Sequence, residues 1–110
     1  MYQLKKDKYR AARGGYARFL HITCSCKTSL CLYQKDGPGP LKRMYLDRIL
    51  APKRLIELEK RTLQKIQKLH CRNCKQIIGS PYSYEKEQRK AFLLNEKTFT
   101  KKVGRGVWKE

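Results

Sequence analysis

The sequence predicts a small β-rich domain of antiparallel β-sheets, with one short helix and basic terminal arms. The chain has 110 residues, the size of a single domain. Short stretches of alternating apolar and polar residues are separated by turn-forming glycine and proline. Two tight cysteine clusters, HITCSCKTSLC and HCRNCKQIIG, stand far apart in the sequence. We assign residues 1–16 to a flexible basic arm, residues 17–102 to the domain and residues 103–110 to a tail.

The first half of the domain is predicted to consist of strands. Residues 17–23, ARFLHIT, suit a strand that delivers Cys24, and residues 29–35, SLCLYQK, suit the next strand. The stretch DGPGP at 36–40 combines flexible glycine torsions with fixed proline torsions, so we expect the chain to reverse there. Residues 41–49, LKRMYLDRI, are expected to form a further strand.

The second half is predicted to contain the helix and the last strands. Pro52 fits the first turn of a helix over residues 53–61. We expect a strand over 63–70 to follow, because cysteine turns of this kind generally follow strands; periodicity alone also allows the helix to continue. After a strand end at QIIG, residues 89–95 and 97–103 are expected to pair as the final hairpin.

The sequence shows no sign of a membrane or secretory segment. No apolar run approaches the roughly 18 residues that a transmembrane helix needs, and the start MYQLKKDKYR has no apolar core of a signal peptide. We therefore expect a cytoplasmic protein without a membrane partner, and a nuclear destination stays open. In a reducing compartment the five cysteines are not expected to form a disulfide framework, and an odd total leaves one unpaired.

Metal binding accounts for the cysteines better than disulfides do. Cys24 and Cys26 form a Cys-x-Cys pair, and Cys71 and Cys74 form a Cys-x-x-Cys pair. Each pair lets two thiolates of a tight turn approach one ion, and together they match a four-thiolate structural zinc site. We predict one Zn²⁺ with these four ligands. Four thiolates and one Zn²⁺ change the formal charge of +18 to about +16.

Three further residues lie near the predicted ligands. Cys31 sits in SLCLY, where the alternation fits a strand, so we expect a small buried core residue. His21 and His70 flank the two cysteine clusters. We expect both histidines to be neighbours of the metal site, although each could replace a cysteine as ligand.

The residues do not favour an enzyme. A thiol oxidoreductase is the alternative interpretation of Cys71 and Cys74, but its Cys-x-x-Cys opens a helix, whereas CRNCKQIIGSPYS runs toward Gly79, Pro81 and a turn. No Ser/His/Asp set, P-loop or glycine-rich dinucleotide turn is present, and carboxylates are few and scattered. We expect no catalytic residue and no small-molecule substrate.

The order of these features resembles a known group of folds. A strand, a cysteine pair, a hairpin, an insertion and the second pair in CRNCKQIIGSPYSYEKEQRKAFLL are similar to the β-tent (Mss4-like) zinc folds, a zinc-ribbon-like group that includes the yippee proteins and the thalidomide-binding domain of cereblon. The resemblance covers residues 17–101 and implies that the four cysteines named above are zinc ligands. The aromatic cage of the cereblon domain does not carry over, because the single tryptophan, Trp108, lies in the tail.

The charge of the chain indicates its partner. Lys and Arg number 27 against nine Asp and Glu, and self-repulsion on this scale favours an anionic partner. Tyrosines interleaved with basic residues are typical of phosphate contacts combined with stacking on unpaired bases. The residues predicted to contact nucleic acid are Lys5, Lys6, Lys8, Arg10, Arg13, Tyr16, Lys42, Arg43, Tyr45, Arg48, Lys101, Lys102 and Arg105.

Two functions from different classes are consistent with this charge. RNA is favoured over DNA because no recognition helix or Cys₂His₂ zinc-finger spacing is visible. We therefore expect a zinc-stabilised, ribosome-associated RNA-binding protein, since basic arms that order on contact suit ribosomal RNA. Ribosomal proteins or another acidic protein are further expected partners. The alternative is a non-enzymatic protein–protein adaptor of the β-tent type, docking on an acidic protein surface through the same basic face.

Overall fold

The strands of the protein pair into two four-stranded antiparallel sheets in a computed structural model that describes residues 1–109. In chain order the elements are α1 Lys8–Ala12, β1 Ala17–Cys24, β2 Ser29–Asp36, β3 Arg43–Tyr45, β4 Ile49–Ala51, α2 Lys53–Ile56, β5 Leu69–His70, β6 Ile77–Tyr84, β7 Arg89–Leu94 and β8 Phe99–Gly104. The first sheet has the strand order β4-β2-β1-β8, and the second has the order β3-β7-β6-β5. The predicted β-rich domain of antiparallel sheets is confirmed.

The two sheets share one hydrophobic core. Leu20 and Ile22 alternate along β1 and point inward, as the pattern ARFLHITC requires of a strand with one buried face. Met44 of β3 and Phe92 of β7 bring the second sheet into the same core, and Leu55 adds the apolar side of α2. Each of these side chains is at most 4% exposed, so burial of apolar surface holds the sheets together.

A smaller apolar cluster covers part of the first sheet. Leu32, Leu50 and Ala51 are its buried members, and Phe19 and Trp108 pack against them. Trp108 belongs to the predicted tail, and it packs against this cluster of the first sheet. The tail is therefore fastened to the domain by its largest side chain.

The stretch 41–49 is not one strand, and that prediction is wrong. It divides into β3 in the second sheet and β4 in the first, with a 3₁₀ turn at Leu46–Arg48 between them. The turn carries Arg48 into the interior, where its guanidinium lies 2.7 Å from Asp36 and 2.6 Å from Asp7. Burial of this charged side chain requires that the chain cross between the sheets at this point.

The predicted helix is present in shortened form, and the strand predicted after it is mostly absent. The α2 helix continues as a 3₁₀ turn, Glu57–Lys60, and a second 3₁₀ turn, Leu63–Lys65, replaces the first part of the strand expected at 63–70. Within that stretch β5 is the part that pairs as a strand. Ile66 is buried just after the second turn, so the segment reaches the core without forming a long strand. Among residues 1–109, no helix combines the length and apolar character needed to cross a membrane.

The last two strands do not form the predicted hairpin. β7 pairs with β3 and β6 in the second sheet, whereas β8 pairs with β1 at the edge of the first. The turn between them carries the chain from one sheet to the other, and within it the Thr98 hydroxyl donates to the Asn95 carbonyl at 2.7 Å. Alternation of apolar residues specifies which face of a strand is buried, but it does not specify the neighbouring strand.

The predicted flexible arm at 1–16 contains the α1 helix and contacts the domain. Asp7 caps α1, since its carboxylate accepts from the backbone N–H groups of Tyr9 and Arg10. The hydrogen bond from Arg48 lowers the pKa of Asp7 to about 2, so the carboxylate stays charged at acidic pH values where an ordinary aspartate is protonated. One aspartate thus starts the helix and attaches it to the buried arginine.

Candidate metal centre and basic surface

Four cysteine sulfurs converge between the two sheets. Cys24 is the last residue of β1, and Cys26 lies in the turn that follows. Cys71 comes directly after β5, and Cys74 lies in the next turn. The four Sγ atoms all lie within 4.8 Å of one another. The cluster therefore connects the end of a strand in the first sheet with the end of a strand in the second.

The spacing of the sulfurs fits a metal ion and does not fit disulfides. Cys24 and Cys74 have their Sγ atoms 3.6 Å apart, and so do Cys26 and Cys71. A tetrahedral site with metal–sulfur bonds of about 2.3 Å places its sulfurs about 3.8 Å apart. A disulfide requires about 2.05 Å. All four predicted ligands are thus brought together, in a group that could coordinate a tetrahedral metal ion.

The two cysteine turns have similar backbones despite their different spacing. Lys27 donates its backbone N–H to the carbonyl of Cys24 at 2.8 Å, and Lys75 donates to the carbonyl of Cys71 at 2.9 Å. Both lysines adopt left-handed backbone torsions, with φ of 79° and 67°. This conformation turns the chain sharply after each pair and lets the second cysteine face the first.

Substitution of Lys75 by valine tests this turn. A β-branched residue fits φ near 67° poorly, so Lys75→Val should lower the free energy of unfolding of the metal-loaded protein by about 1–2 kcal/mol. Lys75→Gly removes the same charge but accepts the torsion, and it serves as the control. Urea unfolding of both variants gives the comparison. Equal stability of the valine and glycine variants would contradict this description of the turn.

Polar side chains around the cluster donate to the sulfurs. The Thr28 hydroxyl lies 3.2 Å from the Sγ atom of Cys26, and the Gln76 amide lies 3.5 Å from that of Cys24. The same amide donates to Ser25 Oγ at 2.8 Å. Donors of this kind stabilise thiolates and fix their direction. Sequence reasoning missed Thr28 and Gln76, because a polar residue beside a cysteine pair carries no distinctive pattern.

The thiol pKa values are spread apart by this environment. Hydrogen bonds from the side chain and backbone of Thr28 lower the pKa of Cys26 to about 6, and the backbone N–H of Cys74 lowers the pKa of Cys71. The backbone N–H of Gln76 favours the thiolate of Cys74, but desolvation and the neighbouring thiols raise its pKa to about 11. Adjacent thiolates repel one another, and a divalent cation is the partner that allows all four to ionise.

The neighbouring candidates lie outside the cluster in the described part of the chain. Cys31 is fully buried in the core, 3.7 Å from the Met44 sulfur, and burial raises its pKa to about 12. The Nε2 atom of His21 lies 2.9 Å from the Arg105 carbonyl oxygen, and His70 is exposed on β5. The expectation that Cys31 is a core residue is confirmed.

Most of the residues predicted to contact nucleic acid lie at the surface. Arg10, Arg13 and Arg43 are half-buried. The exposed ones are Lys5, Lys6, Lys8, Tyr16, Lys42, Lys101, Lys102 and Arg105. The structure thus leaves eight of the thirteen predicted residues exposed.

Arg48 and Tyr45 are corrections to the predicted surface. The Arg48 side chain is 1% exposed and bound to two aspartates, so it cannot reach a phosphate. Tyr45 is 8% exposed because the guanidinium of Arg89 covers its ring at 3.7 Å, and Arg13 donates to its hydroxyl. Both residues are structural. The alternating basic and aromatic residues in KRMYLDR predict a basic surface, but the alternation does not show which face of the segment is buried.

The outer face of the second sheet carries aromatic residues that the predicted list lacks. Tyr82 and Tyr84 alternate along β6 and are half-buried. The Arg43 guanidinium lies 4.3 Å from the centre of the Tyr84 ring, and Leu93 beside Arg43 is 46% exposed. The alternation in PYSY was the available signal, since tyrosines two residues apart on a strand share a face.

Comparison with known proteins gives no relative for this chain. No protein-family model, curated protein or solved structure matches it. The geometry shows a small β-rich domain with a four-cysteine cluster that could bind a metal ion.

Proposed function

We propose that the protein is a zinc-stabilised domain that binds single-stranded RNA, with ribosomal RNA as its expected partner. Zn²⁺ suits four thiolates in tetrahedral arrangement, and Cys24, Cys26, Cys71 and Cys74 would hold it. A bound ion would connect the two sheets through metal–sulfur bonds. Because all four coordination positions would be filled by cysteines, none would be open for a substrate. The β-tent assignment belongs to this proposal and is supported by one cysteine turn from each sheet.

The acidic side chains leave the surface strongly basic. Three buried or half-buried arginines form ion pairs with four of the nine acidic residues, in the pairs Arg48–Asp7, Arg48–Asp36, Arg89–Asp47, Arg89–Glu87 and Arg13–Glu87. Besides these residues, the sequence contains 24 basic and five acidic side chains. A surface of this kind attracts a polyanion and favours nucleic acid over a neutral ligand.

The two basic ends of the chain lie side by side. Tyr2 donates its backbone N–H to the Gly106 carbonyl at 2.7 Å. Gly106 is required at this contact, since a side chain there would meet the Phe19 ring at 2.5 Å. The arm and the tail therefore meet at this contact, which supports a partner that reaches the basic residues of both ends.

One observation carries the choice of RNA. The second sheet presents Tyr82, Tyr84, Leu93 and the Arg43 guanidinium on its outer face, next to the basic groove between the turn 36–40 and β3. Aromatic and arginine planes on a partly accessible sheet face can stack on unpaired bases, as in several RNA-binding folds. A purely ionic contact with an acidic protein does not require such a face.

A binding titration with labelled RNA tests the proposal. Fluorescence anisotropy of a short single-stranded RNA should show binding that weakens as salt rises. Tyr84→Ala should weaken the affinity about five-fold or more at every salt concentration, because one stacked base is lost, while the salt dependence stays unchanged. Tyr84→Phe keeps the ring and should bind like the wild type.

The same titration separates RNA binding from the adaptor function. Lys102→Gln removes one exposed charge without removing an aromatic ring. It should reduce the slope of log affinity against log salt concentration by the contribution of about one phosphate contact. Thermal unfolding of each variant checks that the fold is retained. Binding to an acidic peptide but not to RNA would contradict the proposal and favour the adaptor.

A further inference from the structure

The turn after β2 and the amino-terminal arm enclose a groove at one side of the second sheet. Its cavity of about 430 Å³ is within the range of sites for small ligands. The side chains that matter to its chemistry are Arg13, Tyr33, Lys35, Lys42, Arg43 and Tyr45. Four of these six carry positive charge, so the groove combines a concave shape with a basic lining.

The negative charge near the groove is already engaged. Asp36 is the acidic residue of the described lining, and its carboxylate is held by Arg48 at 2.7 Å. Arg13 is paired with Glu87 at 2.8 Å, so its charge is shared. Of the four cations that line the groove, Lys35, Lys42 and Arg43 have no carboxylate partner among residues 1–109. The groove therefore offers three charges to an incoming anion.

Hydrogen bonds fix the donors around this space. The Tyr45 hydroxyl accepts from Arg13 at 3.2 Å and from the Nε atom of Arg43 at 3.3 Å. The Nη atoms of Arg43 make no hydrogen bond within residues 1–109, and a guanidinium held at one nitrogen can present the others to a phosphate oxygen. The donors are thus oriented before any ligand arrives.

Lys35 is held beside other positive charges. Its Nζ atom donates to the carbonyls of Asp36 at 3.0 Å and Gly37 at 3.3 Å. Burial lowers the pKa of Lys35, and the charges of Arg18 and Arg13 lower it further. Grouping like charges costs free energy that a bound anion offsets.

The backbone of the turn allows this crowding. Gly37 has φ of 74°, and a side chain at this position would meet Arg13 Cβ at 2.8 Å. A glycine is needed here both for the torsion and for the close approach of Arg13. The turn DGPGP is therefore shaped so that the arm and the end of β2 share one wall of the groove.

We propose that this groove is a phosphate-binding site, in which Lys35, Lys42 and Arg43 hold a phosphate group of the bound RNA. The phosphate chemistry follows from the lining, and the identity of RNA as its source rests on the proposed function. The stacked pair of Arg43 and Tyr84 adjoins the site, so a base next to the bound phosphate lies within reach of an aromatic ring.

Titration with small phosphates tests the site directly. Inorganic phosphate, adenosine 5′-monophosphate and adenosine are added to the metal-loaded full chain at constant ionic strength, and backbone amide NMR signals are followed. The two phosphates should give saturable shifts at Lys35, Gly37 and Gly39, and adenosine should give none. Lys35→Gln should weaken phosphate binding about five-fold or more. Lys68→Gln, an equal charge change at an exposed site outside the groove, should weaken it less than about two-fold.

The outcomes separate this inference from the proposed function. Shifts spread over the whole basic surface, or equal effects of the two lysine variants, would overturn the phosphate site. The bound phosphate would then be an adventitious ion only. If RNA binds the wild type and both variants equally, the groove is not its phosphate site, although the proposed function stands. If phosphate saturates the groove and RNA does not bind, the phosphate site is supported, and RNA as its source is overturned.

Discussion

Removal of the metal is expected to unfold the protein. Chelation, or the substitution Cys71→Ser, should eliminate cooperative thermal unfolding followed by circular dichroism. Structural zinc contributes about 10–16 kcal/mol of binding free energy in zinc-finger peptides, whereas a whole domain is stable by about 5–15 kcal/mol. Cys71 is fully buried and lies in the four-cysteine cluster, so the substitution would remove one of the four groups expected to hold the ion.

Cys31 supplies the matched control for this experiment. Its thiol is as buried as that of Cys71, but it lies outside the four-cysteine cluster. Cys31→Ala should keep the metal and the cooperative transition, with a loss of about 1–2 kcal/mol from the small cavity. Elemental analysis gives the metal content of each variant. A metal-free protein with an unchanged melting transition would contradict the structural role of the site.

Substitution of Arg48 is expected to have the next largest effect. Arg48→Ala should reduce the free energy of unfolding by about 3–5 kcal/mol, because it leaves the carboxylates of Asp7 and Asp36 without their partner. The Asp36 side chain is only 4% exposed, so water cannot replace the lost guanidinium. The arm loses its attachment at the same time, since Asp7 both caps α1 and binds this arginine.

A double-mutant cycle separates the ion pair from the loss of side-chain volume. Arg48→Ala and Asp36→Asn are combined, and urea unfolding is measured for each variant and for the pair. The coupling free energy between the two substitutions should be large. Arg48→Ala leaves the Asp36 carboxylate unpaired in the core, and Asp36→Asn removes that unpaired charge. Arg61→Ala, at an exposed arginine, should change stability by no more than about 0.5 kcal/mol. Additive effects of the two core substitutions would contradict the buried pair.

The four-cysteine cluster could be predicted from the sequence because cysteine spacing reflects coordination chemistry directly. Two pairs with short spacing suit tight turns, and four thiolates that meet suit one metal ion. The structure brings together the same four cysteines. The polar donors Thr28 and Gln76 could not be predicted, because they depend on how the two turns face each other.

The strands were easier to locate than their partners. Alternation in ARFLHIT matches the buried positions of β1, and RKAFLLN contains β7, although that strand buries Arg89, Ala91 and Phe92 and leaves Leu93 exposed. The pairing of β7 with β6 and of β8 with β1 depends on contacts between residues far apart in sequence, which alternation does not encode. The same limit explains the misassigned strand at 41–49, where the buried ion pair of Arg48 decides the path of the chain.

The basic surface shows why charge alone is an incomplete guide. Arg48 and Arg89 are buried and paired, so they strengthen the fold and contribute nothing to an interface. Lys35 was not singled out, yet it lies in the basic groove. A buried arginine and an exposed arginine cannot be distinguished in the sequence. The positions of their acidic partners in the folded structure distinguish them.

Isolation of the protein from the cells that make it, with and without ribonuclease, tests the central claim most directly. The complex is sedimented at low salt and its nucleic acid and protein content are measured. The protein should travel with a large RNA-containing particle, and ribonuclease should release it. Sedimentation with a defined protein partner that resists ribonuclease would contradict the RNA-binding function.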